Sequence, residues 1–201
     1  MMTIVHKCSV IPTVSRKLVF CVHIFILILV RAYGDVPYFT EMVTTDQVNS
    51  LTRTPAQEIF NAIIAECDKL STELPADYTK LGLDGIAPAE NGRVTCYAAL
   101  ALKARAALYA ASPLFNPENN KDLWRRAAEA NKEVIETCTA NGFKLSKYSE
   151  LWGPNNWSNN EMIFVRRYNG NISTLEEYNF PMGVPGGNSG NCPTQNMVER
   201  L

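Results

Sequence analysis

Apolar residues along the chain are spaced differently in successive regions. Leu18–Val30, LVFCVHIFILILV, is apolar at almost every position. Within it Phe20, His23, Ile24, Leu27, Ile28 and Arg31 keep a 3.6-residue period. Gly34 is placed to stop a helix, and Val36-Pro37 forces an extended path beyond it. A helix apolar on nearly every side belongs among other helices. The segment therefore reads as a helix buried among others rather than as an export signal.

Amphipathic helices follow. Thr54-Pro55-Ala56-Gln57-Glu58 reads as a start, with Thr54 as cap, Pro55 at the first helical position and Glu58 at the positive end of the dipole. Ile59, Ile63, Cys67, Leu70 and Leu74 make one stripe, and Pro75 ends it. After a loop reaching Gly92, CYAALALKARAALYAAS forms a second helix closed by Pro113. Its alanines favour helix and admit a close neighbour. There Arg105 falls on the stripe Val94, Ala98, Ala101 and Leu108, which predicts a buried charge with a partner. The third helix spans about Asp122–Cys138, with Trp124, Ala127, Ala128, Val134, Ile135 and Cys138 on its apolar side and Asn141-Gly142 as its stop. Helix pairs joined by short Pro/Asn loops, with small residues at their contacts, follow the tetratricopeptide-like pattern. The expected fold is mainly α: tetratricopeptide-like helical hairpins followed by a loop-rich C-terminal part.

From Leu151 to Leu201 the pattern breaks. Ten Asn, six Gly and four Pro disfavour long helices there. Glu161–Val165 reads as one short strand. PMGVPGGNSGNCP is glycine-rich but fits no phosphate-binding fingerprint.

Composition narrows the chemistry. With 46% hydrophobic and 19% charged residues, the chain folds rather than staying disordered. A net charge of -1 and the lack of Lys/Arg runs argue against nucleic acid as a partner. Six scattered cysteines form no C-x-x-C or Cys/His cluster, so no metal site is expected. Of the two histidines, His6 and His23, the second sits in the apolar run and reads as a buried, satisfied imidazole. Cofactor motifs are absent.

Arg16 and Lys17 ahead of the apolar run have the order of an export signal. The thirteen apolar residues are fewer than the roughly 20 that span a bilayer. Val30-Arg31-Ala32-Tyr33 has no A-x-A spacing, and Cys21 follows Phe20 near the start of the run. These residues supply no usable signal peptide or lipobox.

The stretch LWGPNNWSNNE carries the clearest binding chemistry. Trp152 and Trp157 offer faces for the C–H surface of a sugar ring, and Asn155 and Asn156 offer amides that can bridge hydroxyls. The alternative is that the tryptophans pack the loop down and the asparagines shape its turns. Glu150, Glu161, Glu176 and Glu177 lie nearby and could in principle form a hydrolase pair. No hydrolase motif accompanies them, and no catalytic residue is expected.

Taken together, RAYGDVPYFTE, RTPAQEIF, ELP, NGRVTCYAALALKARAALYAASPLF, DLWRRAAEANKEVIE, SNNEMIFVRRYN and PTQNMVERL resemble, in order, the SusD/RagB family. The resemblance runs from about Phe25 to Leu201. It implies a tetratricopeptide-like helical scaffold in which His23–Val30 is an inner helix. It also implies a non-catalytic glycan-capturing lipoprotein of the Bacteroidetes outer membrane, surface-exposed over a SusC-type TonB-dependent transporter. The corresponding division is 1–22 as an atypical segment outside the domain, 23–150 as the helical region and 151–201 as the start of the loop-rich region. On this reading the chain is an internal portion of a longer family member. A helical protein-interaction scaffold without sugar binding is the alternative.

Overall fold

The computed structural model describes residues 2–40, 43–78, 93–151, 159–165, 178–191 and 199, with the backbone alone described over 2–14. The chain forms two compact units, Met1–Val165 and Arg166–Leu201. The first holds α1 (Met2–Tyr33), the single turn α2 (Thr45–Val48), α3 (Ala56–Glu73), α4 (Cys96–Ala111), α5 (Lys121–Ala140) and a 3-10 turn at Tyr148–Glu150. The protein is mainly α, as its periodicity predicts.

The packing follows from where the small residues lie. On α4, Ala98, Ala99, Ala104, Ala106, Ala107, Ala110 and Ala111 are all buried. Small side chains let backbones approach closely, so α4 accommodates both α3 and α5, while α1 packs on α3 and α4. The predicted α3 stripe is the centre of the core: Ile59, Ile63 and Cys67 are fully buried, joined by Phe60. Phe60 meets Phe115 edge-on with ring centroids 5.0 Å apart. Gln57 then ties α3 to the end of α4, its Nε2 donating to the carbonyls of Ala110 and Phe115 at 2.8 and 2.7 Å.

Several local expectations are corrected. The first helix does not begin at His23 but runs unbroken from Met2, so a boundary at residue 22 falls inside it. Phe20 is buried and meets Phe164 edge-on at 5.4 Å, and Arg16 Nε pairs with Glu73 Oε2 at 2.8 Å. Among the described side chains of this helix the buried stripe is Phe20, His23, Leu27 and Val30, while Leu18, Val22, Phe25, Leu29 and Tyr33 are exposed. His23 is satisfied as expected, its Nδ1–H donating to the Val19 carbonyl at 2.8 Å. Gly34 ends the helix with φ +71° and donates its N–H to Val30.

The cap of α3 is Asp35, not Thr54. Thr54 is held by an isolated antiparallel bridge to Val36, and that bridge brings the Asp35 carboxylate onto the Ala56 N–H. Arg105 is exposed rather than buried. In a helix with alanine on every face the sequence period carries little phase, and the buried positions Leu102, Ala106 and Ala110 define the core side instead. On α5 the inward residues are Ala127, Ala130 and Cys138, flanked by Leu123 and Val134; Trp124 and Ile135 face outward. Its end is as predicted. Gly142 (φ +87°) and Phe143 donate to the Thr139 and Cys138 carbonyls, a Schellman closure that sets Phe143 against Tyr97. Glu161–Val165 is irregular, and among the described residues no strand is available to pair with it.

In the second unit, Tyr178–Asn191 folds back on itself. Ser189 and Asn191 donate backbone N–H groups to Phe180 and Tyr178. A Cβ at Gly187 would collide with the Pro181 carbonyl, and one at Gly190 with the Tyr178 ring. These two glycines thus serve close packing rather than a phosphate. Among the described residues no helix is long and apolar enough to cross a membrane.

Candidate functional site

The sequence-derived sugar site, Trp152, Asn155, Asn156 and Trp157, lies outside the described residues, but both of its flanks lie within them. Upstream, Ser146 presents its N–H to Glu161 Oε2 at 2.9 Å and its hydroxyl to Asn159 Oδ1 at 2.5 Å. Asn159 Oδ1 also accepts the Glu161 N–H at 2.9 Å. Downstream, Ile163 packs on the core and Phe164 on Phe20. The described residues on either side of 152–158 are thereby joined to each other, Ser146 to Asn159 and Glu161. That clasp also assigns Glu161, whose carboxylate is engaged by a backbone amide. Glu150 is exposed, and Glu176 and Glu177 fall outside the described residues.

The described residues of the helical unit include two concavities. One is a charged cleft among α3, α4 and α5, where Lys103 Nζ lies 2.6 Å from Asp68 and 2.7 Å from Glu133. Burial disfavours the Lys103 charge, but its hydrogen bonds to the two carboxylates outweigh this and hold the pKa above its ordinary value. Lys103 is thus a clamp across three helices. The other is a groove of about 280 Å³ between α1 and α4, lined by Phe20, Ile24, Leu27 and Leu102 among others, with Arg31, Arg105 and Tyr109 also on its wall. Among the described residues no amide and no carboxylate side chain lines it, so a polyol entering it would lose its water without regaining side-chain acceptors there.

Cys21, Cys67, Cys96 and Cys138 are free, and burial pushes the Cys67 thiol up to about 12, far from a reactive thiolate. Among the described residues no group of His, Cys, Asp and Glu could hold a metal ion. Two functional contacts escaped the sequence reading, the Asp35 cap and the Lys103 clamp. Asp35, placed between a helix-stopping glycine and Val-Pro, carried a recognisable capping chemistry; Lys103 carried none.

The helical arrangement is the SusD-like fold. A SusD-like protein of Bacteroides fragilis superposes on 85% of this chain with a TM-score of 0.63 at 24% identity, and the chain covers 29% of it. A SusD-like carbohydrate binding protein of the same species superposes on 81% with a TM-score of 0.57, again at 24% identity and over 28% of its length. In sequence, a SusD-like protein of Formosa agariphila is 23% identical over 137 residues, 68% of this chain. No family model matches. The resemblance carried by the ordered motifs is thus borne out by relatives in sequence and in structure. The chain spans 22% of the curated relative's length.

Proposed function

We propose that this chain is the helical, glycan-capturing portion of a SusD-like nutrient-binding protein. The observation that carries the reading is the fold shared with a SusD-like carbohydrate binding protein. The contact surface is the Trp152–Trp157 loop: Trp152 and Trp157 stack on sugar rings, and Asn155 and Asn156 exchange hydrogen bonds with ring hydroxyls. The clasp of Ser146, Asn159 and Glu161 supports the reading, because a fixed base lowers the entropy lost when a loop orders on its ligand. In this role the protein sits at the outer-membrane surface over a SusC-type TonB-dependent transporter, handing on intact oligo- or polysaccharide without catalysis. Affinity electrophoresis of the chain through gels containing polysaccharides tests it. Retardation by at least one polysaccharide is expected, and free migration through all of them would remove the support for glycan capture.

A second reading, a protein-interaction scaffold, draws on the exposed Leu18, Val22, Phe25 and Leu29 of α1. Helical hairpins commonly grip partner chains. Co-purification with the transporter by a Trp152→Ala/Trp157→Ala variant that no longer binds glycan separates the two roles.

A further inference from the structure

The groove between α1 and α4 is amphipathic along its length. Its α1 wall is the stripe Phe20, Ile24, Leu27, Ile28 and Arg31, and its α4 wall is Ala98, Ala101, Leu102, Arg105 and Tyr109. The α1 stripe runs about 16 Å at the rise of an α-helix. Phe164 closes on Phe20 at one end, while Arg31 Nη1 donates to the Tyr109 hydroxyl at 3.3 Å at the other. Arg105, one turn before Tyr109, brings a second guanidinium to that end. It is exposed and makes no hydrogen bond or ion pair with the described residues. The groove therefore has an apolar end, a cationic end and, among the described residues, no lining acid.

We propose that this groove binds a small amphipathic carboxylate, its alkyl chain along Phe20, Ile24, Leu27 and Leu102 and its carboxylate between Arg31 and Arg105. Charge complementarity commits the ligand's sign: a cation would meet two guanidiniums, and a neutral chain would leave them without an acceptor. Length commits its size. The groove is a single small concavity about as long as the 16 Å stripe of α1, which suits a medium-length alkyl carboxylate. The planar fork of Arg105 matches a carboxylate with two parallel hydrogen bonds. None of the groove's lining residues belongs to Trp152–Trp157, and the proposal stands whether or not glycans bind.

Isothermal titration of the full chain with decanoate, decanol and decyltrimethylammonium, each below its micelle concentration, tests the proposal. Decanoate binds one per chain, and the cation of equal length binds at least about tenfold more weakly. Arg105→Gln, at an exposed position, lowers decanoate affinity about tenfold, leaves decanol unchanged and leaves helix content by circular dichroism unaltered. Trp152→Ala/Trp157→Ala leaves decanoate binding intact. Absent decanoate binding, equal affinity for the cation, insensitivity to Arg105→Gln, or self-association that occludes the groove each overturns it.

Discussion

The Asp35 carboxylate caps α3 from 21 positions upstream, its Oδ1 accepting the Ala56 N–H at 2.8 Å. Two helices are thereby joined at their junction: α1 stops at Gly34, and the next residue satisfies the first exposed amide of α3. The Val36–Thr54 bridge sets the register that allows it, with the Thr54 N–H donating to Val36 at 3.0 Å. Asp35→Ala should cost about 1 to 2 kcal/mol in urea unfolding, the ordinary worth of a helix cap. Asp35→Asn keeps an acceptor and should lose only a few tenths. Thr54→Ala should do little, since its side chain does not cap. A larger effect from Thr54→Ala than from Asp35→Ala would contradict this assignment.

Lys103 joins α3 to α5 through Asp68 and Glu133. Both acids are about half exposed, so the clamp is worth on the order of 1 kcal/mol rather than the several of a buried pair. Lys103→Met should lower stability by about that much at low ionic strength. In about 1 M salt, where screening extends over only about 3 Å, the difference should shrink. A loss independent of salt would assign it to packing of the alkyl stem.

Gly142 takes φ +87° with open space where a Cβ would lie. The cost of Gly142→Ala is then conformational alone, about 1 kcal/mol, while Gly142→Asn should cost less because asparagine tolerates the left-handed region. Equal costs for the two, measured by thermal unfolding, would point to a clash and against the Schellman closure.

Alkaline pH should destabilise the fold. Burial raises the Cys67 thiol from 9.0 to about 12. Burial likewise raises the Tyr78 phenol from 10.0 to about 12, despite the opposing charge of Arg93. Each group keeps its proton longer folded than unfolded. The stability it contributes is complete below the unfolded value and is lost as pH rises toward the folded one. Lys103, also raised above its ordinary 10.5, adds to the loss at higher pH. Urea midpoints should therefore fall from about pH 9 upward, and Cys67→Ala should delay the onset toward pH 10. Iodoacetamide at pH 8 should modify Cys67 only after unfolding.

The helices were legible where apolar and polar residues alternate sharply. The Ile59–Leu70 stripe and the Asn141-Gly142 stop both stand where the sequence puts them, because large apolar residues and a left-handed turn each leave a local signature. In α4 and over Leu18–Val30 of α1 nearly every residue is alanine or apolar. Phase and boundary there are set by tertiary neighbours, so Arg105 emerged exposed and the helix extended upstream of His23. The strand expected at Glu161–Val165 needed a partner strand, which no local sequence could guarantee. Of the candidate sugar site the sequence offered the residue types, and the structure adds the clasp at its base.

The most direct test of glycan capture uses the tryptophans themselves. Trp124→Phe removes the one described indole, whose N–H donates to Asn119 at 3.2 Å, and leaves Trp152 and Trp157 as the emitters. Titrating this variant with a polysaccharide that retards the chain should change the emission saturably and shield it from acrylamide quenching. Retention of the glycan with emission and quenching unaltered would contradict stacking on Trp152 and Trp157.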